Sequence, residues 1–152
     1  MYPSQHLILG TLFALVLLAI FPQIGFLGVS LIVLSTFFVD VDHYFLYVCR
    51  KKDLSLKDAY RWFREILKRK ILLSLEQKKK YQYEILIFHG VEFWGLLFVL
   101  GLFSIYFMYF FIGVMFHMFL DFLALIYLNE PLNYKLSQIY NHLRNRGRKS
   151  FA

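Results

Sequence analysis

Long apolar runs, interrupted by two basic stretches, dominate the chain. The first run covers Leu7 to Phe21 and ends at Pro22, and the second begins at Gly25. The chain from 85 to 128 has no Lys, Arg or Pro, which is enough for two membrane spans of about 20 residues each. The pattern therefore predicts an all-α integral membrane protein with four transmembrane helices in two hairpins. The predicted spans cover about residues 6–21, 25–48, 84–104 and 109–128.

The polar stretch between the second and third spans has a helical pattern of its own. Apolar residues recur at helical spacing from Leu56 to Ile71, and basic side chains occupy the opposite face. Ser55, with Asp58 three residues later, resembles a capping box that starts a helix. Basic and aromatic amphipathic helices of this kind lie in the headgroup plane of a membrane. We predict an interfacial helix at about residues 55–75 and favour it over a plain solvated loop helix.

Composition and charge placement give this membrane protein an orientation. Of 152 residues 59% are hydrophobic, and the formal net charge is +7. All 17 Lys and Arg fall between Arg50 and Lys80 or between Lys135 and Lys149. Basic residues beside apolar spans mark cytoplasmic flanks and attract anionic headgroups, so nucleic acid is not expected as a partner. We predict a multi-pass protein of the plasma or inner membrane, with both termini cytoplasmic.

Two regions follow from this arrangement. Residues 1–131 are predicted to form the membrane domain, and residues 132–152 a basic cytoplasmic tail. The single cysteine, Cys49, excludes an intrachain disulfide framework. The oligomeric state stays open.

Ionisable residues within the predicted spans are confined to one end of the bundle. Four of the ten acidic residues and four of the five histidines lie inside or at the edge of a span, when the third span is counted from Ile85. By their positions along the spans, all of them fall in the cytoplasmic third of the bilayer. They are His6, Asp40, Asp42, His43, His89, Glu92, His117 and Asp121.

Spacing and charge favour a metal at this level. His89 and Glu92 are three residues apart, and His117 and Asp121 are four apart, so each pair shares a helix face. Facing helices of a bundle build di-metal sites from such pairs. No Lys or Arg lies in the predicted spans, so four buried carboxylates need another cation. Imidazole and carboxylate ligands without thiolate suit a divalent ion, for which we favour zinc over manganese or iron.

Other interpretations of the same residues stay open. The pairs are also compatible with ion pairs that hold the helices together in a structural membrane protein. A metal-ion or proton-coupled transport protein would also place Asp, Glu and His inside the membrane. A transport pathway, however, strings its ionisable residues across the full thickness of the bilayer, whereas these lie at one level.

Short motifs in the same positions match a known family. The chain from 6 to about 131 resembles the membrane-bound metal-dependent hydrolases related to the bacterial LexA-regulated inner-membrane protein. The chain departs from that pattern at Val39, which replaces a proline, and it lacks the His-Arg-Gly that precedes the third-helix histidine. The matching residues are His6, the VDVDH stretch at 39–43, His89, and the Gly-x-x-x-His-x-x-x-Asp residues Gly113, His117 and Asp121.

The resemblance implies a membrane-bound hydrolase with a metal-activated water at the cytoplasmic side. Asp42 or Glu92 would accept the proton of that water or serve as a bridging ligand. The basic interfacial helix favours an anionic phospholipid or another phosphoester as substrate. The implied ligands of one or two divalent ions are His6, Asp40, His43, His89, His117 and Asp121.

Overall fold

The computed structural model describes residues 3–148 and 150, and these residues form helices connected by turns, with no β-strand. Part of the predicted membrane domain, residues 1 and 2, and part of the predicted tail, residues 149, 151 and 152, lie outside the described residues. The helices are α1 Pro3–Ile20, α2 Gly25–Phe38, α3 Val41–Lys51, α4 Leu56–Ile71, α5 Leu75–Lys78, α6 Val91–Phe103, α7 Ile105–Tyr127 and α8 Gln138–Arg144.

Three helical segments are long and apolar enough to cross a membrane: Pro3–Ile20, Pro22–Lys51 and Ile105–Tyr127. The all-helical class and its apolar, membrane-compatible helices are therefore confirmed. Helix α6 is equally apolar but has only 13 residues, or about 20 Å at 1.5 Å per residue. That length is short of a hydrocarbon core of about 30 Å, so the predicted span 84–104 is α-helical only in its second part.

The chain before α6 is not α-helical because its backbone hydrogen-bonds to the C-terminal segment. The Leu86 N–H donates to Oε1 of Gln138 at 2.9 Å. The Tyr83 N–H donates to Oδ1 of Asn145 at 2.8 Å, and the Asn145 amide donates back to the Tyr83 carbonyl at 2.7 Å. These bonds replace the helical ladder and fix the entry to α6, where His89 lies.

The predicted second span, 25–48, is interrupted where the site begins. Helix α2 ends at Phe38 and α3 begins at Val41. The hydroxyls of Ser35 and Thr36 donate to backbone carbonyls three residues earlier, at 2.8 and 2.7 Å. Bonds of this kind compete with the helical ladder and bend helices, which accounts for a break at this point.

Helix α7 is the central element of the bundle and contacts α1, α2 and α6. Its buried residues recur at intervals of three and four, including Gly113, Val114, His117, Met118 and Asp121. This spacing places them along one helical stripe. Val114 and Met118 belong to the apolar core, so the same stripe of α7 supplies core side chains and candidate site residues.

The basic helix α4 packs its aromatic face onto α3. Ser55 caps α4, because its hydroxyl accepts the backbone N–H three residues later at 3.2 Å. The Phe63 ring lies 5.1 Å from the ring of His43 in an edge-on arrangement. The aromatic face of α4 therefore includes a residue, Phe63, that covers part of the candidate site.

Candidate metal centre

The six predicted ligand residues meet at one end of the bundle. His6 comes from α1, Asp40 from the α2–α3 break, His43 from α3, His89 from the turn before α6, and His117 and Asp121 from α7. They form three overlapping groups in which one donor atom from each residue lies within 4.8 Å of the others. The groups are His6–Asp40–His117, Asp40–His43–His89 and His89–His117–Asp121.

The most deeply buried group brings three acceptor atoms to one point. Nε2 of His89 and Nε2 of His117 are 3.4 Å apart. Each lies 3.3 Å from Oδ2 of Asp121. Both imidazoles are fully buried, and Asp121 is 2% exposed. Such a point needs a cation or protons, because lone pairs directed at one another in a medium of low dielectric repel.

The tautomers of the two rings follow from their other nitrogens. Nδ1 of His117 lies 2.7 Å from the backbone carbonyl of Thr36. A carbonyl only accepts, so Nδ1 carries the hydrogen and Nε2 of the neutral ring has the lone pair. Nδ1 of His89 lies 3.1 Å from Oδ2 of Asp42, and the same reasoning leaves Nε2 of His89 as an acceptor. Both rings therefore present to Asp121 an unprotonated nitrogen of the kind that can bind a metal.

The other three predicted ligands, His6, Asp40 and His43, also suit a cation. His6 stacks on the ring of His117 at 3.9 Å, and its Nε2 lies 3.3 Å from Oδ1 of Asp121. Oδ1 of Asp40 lies 3.8 Å from Nε2 of both His43 and His117. Among the described residues, Nδ1 of His6 and Oδ2 of Asp40 are buried without a hydrogen-bond partner. Buried donors and acceptors are normally satisfied, so these atoms suit additional ligands.

Asp42 lies beside the ligand cluster and orients one of its members. Its Oδ2 accepts from Nδ1 of His89 and from the Phe88 N–H, both at 3.1 Å. A carboxylate behind a ligating histidine fixes the ring and raises its basicity. Asp42 is thus placed to position His89, and its predicted role as proton acceptor or bridging ligand stays a prediction.

Glu92 lies away from the cluster, at the N-terminus of α8. Its Oε1 accepts from the Ser137 hydroxyl at 2.6 Å and from the Ile139 N–H at 3.2 Å. Its Oε2 accepts from the Gln138 N–H at 3.2 Å. A carboxylate satisfies the free N–H groups of a helix start in this way. Within the part of the chain that the structure describes, Glu92 belongs to none of the candidate metal groups.

A lysine enters the cluster, contrary to the sequence argument that no basic residue lies at this level. Lys135, in the 3₁₀ turn Leu132–Lys135, donates from Nζ to Oδ2 of Asp121. Its side chain is only 7% exposed. The chain returns to the bundle after α7 and carries a residue of the predicted tail inward. The Lys135 ammonium balances one of the three carboxylates of Asp40, Asp42 and Asp121, so the charge argument for a metal is weaker than the sequence suggested. The geometry of the acceptor atoms is now the stronger support for a metal.

The turn between α3 and α4 helps to position Phe63, the aromatic residue that lies against His43. Asp53 accepts a hydrogen bond from the Tyr47 hydroxyl and another from the Ser55 N–H at 3.0 Å. These bonds hold the pKa of the Asp53 carboxyl below its usual value, the Tyr47 contact contributing most. They fix the chain just before α4 and so help to place Phe63 against His43, whose side chain is 27% exposed.

Lys135 and the carbonyl of Thr36 are the site components that sequence reasoning missed. A backbone carbonyl carries no residue signature, and Lys135 follows the last span in a stretch typical of a tail. Comparison with protein-family models, with curated proteins and with solved structures found no match to this chain.

Proposed function

We propose that this chain is a membrane-bound hydrolase that holds a divalent metal, zinc before manganese or iron, in its buried His/Asp cluster. The convergence of Nε2 of His89, Nε2 of His117 and Oδ2 of Asp121 within 3.4 Å of one another supports this proposal. Two imidazoles and a carboxylate form a donor set that catalytic zinc sites use. His6, Asp40 and His43 extend the set and would hold a second ion or complete the first.

The chain's own residues would divide the work of hydrolysis. A bound divalent ion would lower the pKa of a coordinated water and so supply hydroxide near neutral pH. Asp42 and the carbonyl of Thr36 keep the rings of His89 and His117 in the ligating tautomer. Oδ1 of Asp42 is buried and, among the described residues, has no hydrogen-bond partner. This oxygen is available to accept a proton, whereas both oxygens of Glu92 are engaged at α8.

The substrate class that we favour is a phosphoester or the head group of an anionic lipid. Helix α4 turns its basic face outward, and the side chain of Arg61 is 62% exposed. Its opposite face contacts His43 through Phe63. A basic helix next to the site would attract an anionic head group from the inner leaflet. In this proposal the site and both termini are cytoplasmic.

Metal analysis and hydrolysis assays of the purified protein test the proposal together. We expect stoichiometric zinc, manganese or iron, and metal-dependent cleavage of a generic phosphodiester or of phospholipid in mixed micelles. His117→Ala should lose most of the bound metal and the hydrolysis. His142→Ala is the matched control, because His142 is an exposed histidine on α8 and should leave both unchanged.

The outcomes separate the competing functions. Metal-dependent ion flux into proteoliposomes without hydrolysis would indicate a transport protein that uses the same ligands. Metal-free protein that does not take up zinc, manganese or iron would contradict the metal site and leave a structural membrane protein. Equal loss of metal in the His117→Ala and His142→Ala proteins would show that the effect is not specific to the cluster.

A further inference from the structure

Lys135 contacts the same carboxylate oxygen that the candidate metal group uses. Its Nζ donates to Oδ2 of Asp121, and Nε2 of His89 and Nε2 of His117 each lie 3.3 Å from that oxygen. The lysine side chain is buried. The ammonium therefore supplies positive charge where the two imidazoles and the carboxylate direct their lone pairs.

A metal and the Lys135 ammonium would compete for the carboxylate of Asp121. Two cations that share a carboxylate in a buried site repel each other, because the low dielectric strengthens Coulomb interactions. A buried carboxylate without a partner is also unfavourable. The site is thus stabilised with either cation, and binding the metal must remove most of the contact between Lys135 and Asp121.

The segment that carries Lys135 keeps the ammonium close even when it is displaced. Immediately after it, the Leu136 carbonyl accepts from the Val91 N–H at 2.8 Å. Further along, Arg144 lies over the ring of Tyr83 at 3.5 Å. The backbone on the C-terminal side of Lys135 is therefore fastened to the entry of α6. A flexible four-carbon side chain can leave Asp121 without undocking this segment.

We propose that Lys135 is a tethered cation that occupies the carboxylate of Asp121 in the metal-free protein and is displaced when the metal binds. It sets the metal affinity of the site and protects the metal-free cluster from charge repulsion. The proposal rests on the metal site of the proposed function and concerns a residue outside the predicted ligand set. Once displaced, the ammonium stays beside the metal, where it would meet an anionic substrate.

Metal titration of purified protein tests this competition. Lys135→Met removes the ammonium and keeps an unbranched chain, so zinc should bind more tightly than to the wild type. When one bound group changes the affinity for another, the factor is typically about 5 to 150, and we expect a gain of at least about fivefold. Lys78→Met is the matched control: Lys78 is also buried, but its Nζ contacts Glu130 and the carbonyls of Leu128 and Asn129.

Lysine labelling of the wild type gives a second readout that needs no variant to fold. Zinc should expose Lys135, so a small amine-reactive reagent should acylate it faster. Mass spectrometry measures the extent of acylation. Acylation of Lys78 should not change. Faster labelling of Lys135 alone, with tighter binding in Lys135→Met, supports the inference.

The contrary outcomes distinguish this inference from the proposed function. Equal or weaker zinc binding by Lys135→Met, with Lys135 still protected in zinc-loaded wild type, overturns the tethered cation and leaves the metal site intact. Absence of zinc binding in both the wild type and Lys135→Met overturns the metal site and the inference together. Tighter binding in both the Lys135→Met and Lys78→Met proteins would assign the effect to loosened packing and overturn the specific role of Lys135.

Discussion

His89 and His117 have similar surroundings but different hydrogen-bond acceptors behind them. Nδ1 of His117 donates to a neutral carbonyl, that of Thr36, whereas Nδ1 of His89 faces the carboxylate of Asp42. A carboxylate increases the electron density of the ring and makes its other nitrogen a stronger ligand. His89 should therefore be a stronger metal ligand than His117.

Asp42→Asn tests the contribution of that carboxylate. The amide keeps the volume and can still accept the Phe88 N–H, but it removes the negative charge behind His89. Loss of such an outer partner typically costs about 10- to 100-fold in metal affinity, and we expect a decrease in that range. Competition with a chromophoric chelator measures it. Asp58→Asn is the control, because Asp58 pairs with Arg61 on the exposed side of α4; equal affinity in all three proteins would contradict the role of Asp42.

Single residues also show how far the sequence could predict the site. The pairing of His117 with Asp121 follows from helical spacing, and the two side chains do meet, at 3.3 Å. The contact of Asp42 with His89 was not predictable, because Asp42 follows a break in the helix after Phe38. Lys135 depends on how the chain returns after α7, which no local pattern encodes.

Among the helices, the contact between α2 and α7 controls the geometry of the site. A Cβ added at Gly113 of α7 would lie 1.8 Å from the Ser35 hydroxyl and 2.4 Å from the Ile32 carbonyl of α2. The next residue of α2, Thr36, has the carbonyl that accepts from His117. Glycine at 113 therefore lets α7 approach α2 closely enough for the hydrogen bond that orients His117.

Gly113→Ala should separate these helices and weaken the site. Overpacking of a tight contact costs typically about 1–3 kcal/mol, and a backbone carbonyl cannot move aside cheaply. We expect a lower midpoint of thermal unfolding in detergent, together with weaker metal binding. Gly95→Ala is the matched control, since a Cβ at Gly95 of α6 meets nothing within 4 Å. That change should be neutral or stabilising by up to about 1 kcal/mol; similar losses in both proteins would contradict the close contact.

The helices were predictable where neighbouring residues in the sequence determine them. Apolar runs predict α1 and α7, and the apolar periodicity with the Ser55 cap predicts α4, within a few residues of the observed ends. The start of α6 was not predictable, because apolar composition continues through residues 85–90 while their backbone pairs with distant residues. Leu86 bonds to Gln138, and this pairing over a long sequence separation overrides the local helical preference.

Across the whole molecule, chain continuity connects the short helix α6 to the number of membrane crossings. Helix α6 starts next to His89 at the site, and Ser104 alone separates its end from α7. Helix α7 then carries His117 and Asp121 back to the site in its later part. The end of α6 and the start of α7 therefore lie at the end of the bundle away from the site.

Three helical segments are long enough to cross a membrane, and this continuity is the reason to keep four crossings as a prediction. Helix α7 has 23 residues, or about 35 Å at 1.5 Å per residue, whereas α6 covers about 20 Å. A span shorter than the hydrocarbon core is accommodated when the bilayer thins locally, at a modest cost. The turn before α6 extends the path further. If α1 and α2 are the other two crossings, residues 3 and 150 would lie on the same side of the membrane, as the sequence predicts.

Single-cysteine labelling in intact cells tests this topology. In a Cys49→Ser background, Ser4→Cys and Ser150→Cys should be protected from an impermeant maleimide and should react only after lysis. Ser104→Cys should react in intact cells, because it lies at the far end of the bundle. Protection of all three would place Ser104 within the bilayer or inside the cell. Labelling of Ser150→Cys but not Ser4→Cys in intact cells would mean an odd number of crossings, which would contradict a transmembrane α6.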